Sequence, residues 1–233
     1  MKTKTIYLVR HGFRYDQTEN NTWNSSERFI ENPLDTPLAE EGKKEIQKLL
    51  PHIDDKIDFI YSSPMTRCIE TALEIQKKLN VPIRIENGLT EPWTHPFRSE
   101  LKDGKFIRLK KNFLSEDERK YFTSIDKELY LKSLLKKYPG NIDADYKSLF
   151  KHTQVPLTEH EWEFGNRIIK VIEHVRPFHE NLLFVGHRGL MAMGTPYISG
   201  DKTEHDFFGG GPKYTGMMVK FNGELSMYNP KDL

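Results

Sequence analysis

The chain has 233 residues, with 35 Lys and Arg against 34 Asp and Glu, so its formal net charge is +1. This length fits one large domain, or a domain with a substantial insertion, and it suffices for a sizeable hydrophobic core. A charge this close to zero gives no reason to expect nucleic acid or an anionic membrane as a partner. Any strongly positive site must therefore be local.

A single cysteine, Cys68, excludes an intrachain disulfide framework and a multi-cysteine zinc site, and it fits a reducing compartment. The apolar run near the N-terminus covers only residues 6–9, which is too short for a signal peptide or a membrane span. We therefore expect a cytoplasmic protein in which this run is a buried strand.

The first predicted strand, residues 5–9, leads directly into Arg10, His11 and Gly12. Ligands of open α/β sheets bind at the carboxyl edges of the strands, so this turn is a candidate site. An amphipathic helix follows, with Ile46 and Leu49 at helical spacing and Gly42 early in it.

Further strands are predicted at residues 57–61, 82–86 and 182–185, and a terminal pair at 217–221 and 225–228 around an Asn-Gly turn. After the second strand, Ser62-Ser63-Pro64 predicts a serine-capped helix that runs toward Leu79. Alternation of strands and helices predicts a three-layer α/β/α sandwich with a mostly parallel central sheet.

The pattern weakens between residues 93 and 160, where a helix is predicted over 115–137. We interpret this region as an insertion or cap within a single domain that covers residues 1–233. The glycines at 209–211 lack the Lys-Ser/Thr of a nucleotide-binding loop and predict an ordinary loop.

Three distant segments place cationic groups after a strand or at the start of a helix. They contain Arg10, His11 and Arg14, then Arg67, and finally His187, which is followed by Arg188. If the fold brings them together, they form a basic pocket, and the planar guanidinium of arginine suits a phosphate dianion.

A neutral histidine ring can attack phosphorus, and nearby arginines should keep His11 neutral by lowering its pKa. The leaving oxygen also needs a proton donor. Glu91, which follows the third predicted strand, is the candidate for this acid.

The RHG at the first strand, the SSPxxRCxETA that begins at Ser62, and the Gly-His at 186–187 together resemble the histidine phosphatase superfamily, the phosphoglycerate-mutase-like fold. The resemblance spans nearly the whole chain. It implies His11 as the phosphorylated nucleophile, Arg10, Arg14, Arg67 and His187 as the phosphate pocket, with His187 also catalytic, and Glu91 as the proton donor.

Within the superfamily, Arg14 after Arg-His-Gly-Phe, the Glu-Pro-Trp at 91–93 and the segment 141–146 resemble one branch. This branch contains the suppressor-of-T-cell-receptor-signalling proteins and the ecdysteroid-phosphate phosphatase. Phe13 and Arg14 depart from the metabolic mutases, which usually carry Glu or Gln there, and Arg188 departs from the His-Asp of the acid phosphatases.

Other functions suggested by single residues have less support than the basic pocket. Cys68 lacks the arginine six residues later that a cysteine phosphatase needs, because position 74 is Glu. The remaining histidines show no metal-ligand spacing, so no metal or other cofactor is expected. The aromatic residues Trp93, Phe97, Phe106 and Phe113 either belong to the core or line an entrance.

The sequence thus predicts a phosphatase that hydrolyses phosphate monoesters through a phosphohistidine. The predicted substrates have an aromatic or steroidal leaving group, such as a phosphotyrosine protein or a small aromatic or steroid phosphate. Two alternatives stay open: a catalytically weak binding or assembly protein, and a phosphoglycerate-type mutase. Homodimerisation is suggested only by analogy with relatives.

Overall fold

The computed structural model describes residues 4–23, 26, 35–91, 97–102, 105–110, 136–138, 140–151, 154–155, 159, 161–200 and 215–233, with the backbone alone for 97–102, 105–110 and 161–162. The strands in these residues are β1 (Thr5–Arg10), β2 (Phe59–Ser62), β3 (Ile83–Ile85), β4 (Phe97–Lys102), β5 (Lys105–Lys110), β6 (Asn181–Gly186), β7 (Met218–Phe221) and β8 (Leu225–Tyr228). The helices are α1 (Glu40–Leu49), α2 (Thr66–Leu79), α3 (Glu161–Val175) and α4 (Arg188–Ser199).

The central sheet has six strands in the order β3-β2-β6-β1-β7-β8. The pairs β1/β6, β6/β2 and β2/β3 are parallel, whereas β7 runs antiparallel to both β1 and β8. The predicted α/β fold with a mostly parallel sheet is therefore confirmed. The second predicted strand is shifted slightly, since it occupies Phe59–Ser62.

Hydrophobic side chains of the sheet alternate between two buried clusters. Tyr7 and Val9 of β1 lie in a cluster with residues of α1 and α2, whereas Ile6 and Leu8 lie in a cluster with residues of α3 and α4. A strand that is covered on both faces needs apolar residues at every position, which explains the uninterrupted apolar run of β1. Helices thus cover both faces of the sheet.

The parallel register aligns the carboxyl ends of the strands at one edge of the sheet. Arg10 pairs with Gly186, and Ser62 pairs with Val185 on one side and Ile85 on the other. The residues that follow these strands must therefore leave the sheet next to one another, and it is there that the sequence places its polar groups.

Glu86, directly after β3, ties the chain from 140 to 150 to this edge. Its carboxylate is fully buried and accepts hydrogen bonds from the Gly88 and Leu149 N–H groups and from the Tyr146 and Ser148 hydroxyls, at 2.7–2.9 Å. Four donors compensate the cost of burying one charge. The end of β3 is thereby fixed in position.

The region expected to form a cap contains a separate two-stranded antiparallel sheet, β4 with β5, which the sequence analysis did not anticipate. The helix predicted over 115–137 lies almost entirely outside the described residues, as does the glycine loop at 209–211. The interpretation as one domain with a cap stays a prediction.

The turn after β1 packs directly on the first turn of α1. A Cβ atom on Gly12 would lie 2.5 Å from the Gly42 carbonyl oxygen, and one on Gly42 would lie 2.3 Å from the Phe13 carbonyl oxygen. The Phe13 N–H also donates to the Glu45 carboxylate at 2.8 Å, and the Gly12 N–H donates to the Thr71 hydroxyl at 3.2 Å. Only glycine allows this contact between two backbones.

Gly42→Ala should therefore destabilise the fold by about 1–3 kcal/mol, because the added methyl group displaces the turn that follows β1. Chemical denaturation followed by circular dichroism measures the loss. Gly165→Ala in α3 is the matched control, because the three atoms nearest to its Cβ would all belong to the flexible Met193 side chain. Equal unfolding midpoints for Gly42→Ala and wild type would contradict this packing argument.

Candidate active site

His11 and His187 lie side by side at the carboxyl edge of the sheet. The His11 N–H donates to the Gly186 carbonyl at 2.9 Å, which extends the β1/β6 ladder by one residue. The two ring centroids are 5.4 Å apart with an interplanar angle of 66°. Two residues that are far apart in sequence are thus brought together by strand pairing.

The ring of His11 is held in one tautomer. Its Nδ1 lies 2.9 Å from the Gly12 carbonyl oxygen, which can only accept a hydrogen bond, so the neutral ring carries its proton on Nδ1. Nε2 then keeps its lone pair. The side chain is almost completely buried, at 3% exposure.

Burial and neighbouring charge keep His11 neutral. Desolvation is the main reason that its pKa lies well below the ordinary value, and the guanidinium groups of Arg67 and Arg10 lower it further. The hydrogen bond to Gly12 opposes this shift and does not overcome it. A neutral imidazole with a free Nε2 is the form that can act as a nucleophile.

Arg67 enters the cluster from the first turn of α2. Its side chain is buried, and Nη2 lies 3.3 Å from His187 Nδ1 and 3.5 Å from Glu91 Oε2. The guanidinium therefore lies next to both the second histidine and the candidate acid.

The start of α2 corrects the predicted serine cap. The N-cap position is Met65, which has no capping side chain, and the helix begins at Thr66. The buried carboxylate of Asp35 takes over this role, since it accepts the Thr66 N–H and the Thr66 hydroxyl, both at 2.6 Å. The cap comes from 31 residues upstream, which local sequence could not indicate.

Ser63 has a different role from capping. Its hydroxyl lies 2.9 Å from Nε2 of the fully buried His187. Because Arg67 can only donate, its contact with Nδ1 requires a lone pair there, so Nε2 of the neutral ring donates to Ser63. This role of Ser63 was not predicted from the sequence, although a serine directly after a strand in the cluster was a signal for it.

The ring of His187 is also kept neutral. Its pKa lies well below the ordinary value because of desolvation first, and then because of the charges of Arg67 and Arg10. Its Nδ1 is 3.4 Å from Glu91 Oε2, so a protonated ring would form an ion pair with this carboxylate. Glu91 itself is 29% exposed and is therefore accessible from solvent.

Arg10 supplies donors that are not used within the described residues. Its Nε and Nη1 atoms are buried and have no hydrogen-bond partner in that part of the chain. Desolvation lowers its pKa, as do the charges of Arg188, Arg14 and Arg67, while Glu91 opposes them. Buried donors without an acceptor are costly, and an anion at this position would satisfy them.

Arg14 is less directly engaged than the sequence predicts. Its Nε and Nη2 atoms donate to both oxygens of Asp16, at 2.9 and 2.6 Å. Its charge still lowers the pKa of His11 and His187, so it lies near the cluster. Its role in phosphate binding stays a prediction.

Cys68 lies against His187, with Sγ 3.5 Å from Nε2 and 3.5 Å from the Gly186 carbonyl oxygen. Burial raises its pKa to about 12, so it stays a neutral thiol. This environment fits the predicted small buried hydrophobic residue rather than a cysteine nucleophile.

Within the described ranges, no group of three or more His, Cys, Asp or Glu side chains could hold a metal ion. Likewise, the helices found there are too short or too polar to cross a bilayer. Side chains of the aromatic residues proposed to line an entrance, Trp93, Phe97, Phe106 and Phe113, lie outside what the structure describes.

Sequence comparison connects this cluster with a known family. Residues 6–103 match the family model of the histidine phosphatase superfamily, branch 1. A putative phosphoserine phosphatase 2 from Hydrogenobacter thermophilus is 27% identical over 193 residues, which cover 81% of this chain and 75% of that protein. The 55 kDa subunit of transcription factor tau from Saccharomyces cerevisiae is 35% identical over 101 residues, but the match spans only 22% of that subunit.

Solved structures share the fold. The ecdysone phosphate phosphatase of Bombyx mori, crystallised with tungstate, aligns with a TM-score of 0.60 and 19% identity over 97% of this chain and 92% of that one. A putative alpha-ribazole-5'-P phosphatase from Escherichia coli aligns with a TM-score of 0.50 and 17% identity over 97% and 96%. Residues 6–103 thus match the histidine phosphatase superfamily, and the chain shares its fold with these phosphatases.

The lowered pKa values of His11 and His187 predict that the fold loses stability on acidification. Unfolded imidazoles take up protons as the pH falls through about 6.5, whereas the buried rings stay neutral to lower pH. The unfolded state then binds more protons, so the free energy of unfolding falls by up to about 1.4 kcal/mol per pH unit for each ring.

Urea unfolding at a series of pH values between about 7.5 and 5 measures this slope. Replacing both rings, His11→Gln with His187→Gln, should flatten it. His52→Gln is the control, because this ring lies outside the cluster and packs on Tyr228. An unchanged slope in the double variant would contradict the origin proposed for it.

Proposed function

We propose that this protein hydrolyses phosphate monoesters through a phosphohistidine formed at Nε2 of His11. The observation that carries the proposal is the fixed tautomer of His11, whose proton is held on Nδ1 by the Gly12 carbonyl. Nε2 is left with a lone pair beside the buried arginines. The family match over residues 6–103 and the similarity to a putative phosphoserine phosphatase support the same chemistry.

In the first step, Nε2 attacks phosphorus and the bond from phosphorus to the leaving oxygen breaks. The carboxylic acid of Glu91 donates its proton to that oxygen, so an alcohol or phenol leaves and Glu91 becomes a carboxylate. Arg10 and Arg67 compensate the charge that develops on the phosphoryl oxygens. His187 stays neutral, and its Nδ1 accepts a hydrogen bond from Arg67, which holds this guanidinium in the pocket.

In the second step, a water molecule attacks phosphorus while the carboxylate of Glu91 accepts a proton from it. The phosphorus–nitrogen bond breaks, inorganic phosphate leaves, and His11 returns to its neutral form. Splitting one displacement into two lowers the barrier of each. The neutral state that burial imposes on His11 favours both its attack and its release.

His11→Ala should abolish turnover of p-nitrophenyl phosphate, because the other neutral ring described in the cluster, His187, already uses its ring-nitrogen lone pair to accept from Arg67. Wild-type protein quenched in alkali during turnover should carry one phosphoryl group on the peptide that contains His11, detected by mass spectrometry. His52→Ala is the matched control and should retain activity. Wild-type rates in His11→Ala would overturn the proposal.

We also propose a class of substrate. An aromatic or steroidal leaving group is supported by the branch resemblance and by the ecdysone phosphate phosphatase, which shares the fold. Phosphoserine is a second candidate, because a putative phosphoserine phosphatase of Hydrogenobacter is 27% identical and a phosphoserine phosphatase of the same organism is 34% identical over 87 residues.

A substrate panel separates these candidates. We expect kcat/KM for phosphotyrosine and p-nitrophenyl phosphate to exceed that for phosphoserine and 3-phosphoglycerate. The reverse order would reject the aromatic preference and favour a small alkyl phosphate. Phosphoryl transfer from one phosphoglycerate to another would instead identify a mutase.

A role in assembly is the remaining candidate, and the similarity to the transcription factor tau subunit favours it. It predicts that the purified chain turns over none of these esters. A nucleophile held in one tautomer argues against this interpretation, as do the Arg10 donors that lack a partner among the described residues, since an assembly role needs neither feature.

A further inference from the structure

We infer that Arg167 is a positioning residue that holds the candidate acid Glu91 in place through the backbone of the preceding turn. The inference rests on the proposed function, because it assigns to Arg167 the placement of the proton donor. Arg167 lies on α3, and neither the sequence motifs nor the histidine cluster includes it.

The guanidinium of Arg167 bridges two carbonyl groups on either side of Leu89. Nη1 donates to the Gly88 carbonyl at 2.5 Å, and Nη2 donates to the Thr90 carbonyl at 2.9 Å. Thr90 directly precedes Glu91, so its carbonyl belongs to the peptide bond that joins the two residues. A shift of this carbonyl must move the backbone of Glu91.

Arg167 is itself fixed by a buried carboxylate. Nε and Nη2 donate to the two oxygens of Glu159 at 3.1 and 2.6 Å, and the two side chains are only 4% and 5% exposed. This paired geometry fixes the plane of the guanidinium. A buried ion pair is a poor device for stability alone, since apolar side chains of similar volume often do as well.

The turn from Asn87 to Leu89 is also held from its other side. The carboxylate of Glu86 accepts the Gly88 N–H, and a Cβ atom on Gly88 would lie 2.4 Å from Val171 Cγ2. The start of the turn is therefore fixed independently of Arg167, so the loss of Arg167 should act at the Thr90 carbonyl and the adjoining backbone of Glu91. Glu91 has no comparable anchor of its own, because its carboxylate contacts only Arg67 and His187 among the described residues.

The distances at Glu91 show why small shifts matter. Its Oε2 lies 3.5 Å from Arg67 Nη2 and 3.4 Å from His187 Nδ1, so the acid sits at the edge of contact with the cluster. A general acid must reach the leaving oxygen at hydrogen-bond distance. Displacement by about 1 Å can reduce the rate roughly a hundredfold.

The closing experiment uses the dependence of rate on the leaving group. Phenolate, whose conjugate acid has a pKa of about 10, is a poor leaving group and depends on a proton from the acid. Nitrophenolate is a weaker base and depends on that proton less. We expect Arg167→Met to reduce kcat/KM for phenyl phosphate roughly ten- to a hundredfold and to affect p-nitrophenyl phosphate several times less. Glu91→Gln should show the same selectivity.

A double-mutant cycle distinguishes positioning from a general structural role. If Arg167 acts through Glu91, Arg167→Met should cost little more in the Glu91→Gln background than Glu91→Gln costs alone. Arg84→Met is the matched control: this arginine also pairs with a carboxylate, Asp143, at the same sheet, but it does not contact the turn. It should leave the leaving-group selectivity unchanged.

Arg167→Lys is measured in parallel, because it keeps the charge beside Glu159 and cannot bind both carbonyls in the same way. It provides the test if Arg167→Met does not fold, and it should show the same selectivity with a smaller amplitude. Equal losses on both substrates, or full additivity with Glu91→Gln, would overturn the inference and leave the proposed function standing. Absence of selectivity in Glu91→Gln would overturn the acid role and this inference together, while activity in His11→Ala tests the nucleophile separately.

Discussion

The parallel register between β1, β6 and β2 is the constraint on which the rest of the site depends. It sets Arg10 beside Gly186 and Ser62 beside Val185, so that His11, Ser63 and His187 follow their strands at the same level. A slip of one residue in any of these pairings would turn each side chain to the opposite face. The site is therefore specified by the core that fixes the register, as much as by its own polar contacts.

Burial also sets the protonation state of the two histidines. An imidazole in water is partly protonated near neutral pH, whereas His11 and His187 are held neutral by desolvation and by arginine charges. Both effects also lower the pKa of Arg10, and the carboxylate of Glu91 opposes them. The arginines of the cluster thus stay positively charged while its histidines stay neutral. This combination suits the binding of an anion next to a neutral nucleophile.

Most of the sheet was predictable because its strands are apolar runs with clear ends. The positions of His11, Arg67 and His187 beside one another also followed from where these strands stop. The hairpin β4/β5 was missed, since its residues alternate without a marked apolar face in the Lys-rich region. The supports of the site were harder to see. Asp35 caps α2 from 31 residues away, and Arg167 reaches the Thr90 carbonyl from 77 residues away, so no local pattern could reveal either contact.

The anchoring of residues 140–150 at Glu86 has a consequence for how this protein can diversify. The chain leaves the sheet edge at Glu91 and returns to it where Ile142 bridges to Ile83 and Ser148 binds Asn87. Both ends of the segment between Glu91 and Ile142 therefore lie at the same sheet edge. The distance that the segment must bridge is fixed, whatever its length. Lengthening such a loop costs little, about 0.6 kcal/mol for each doubling. The length of this segment can therefore change without moving the residues at the carboxyl edge of the sheet.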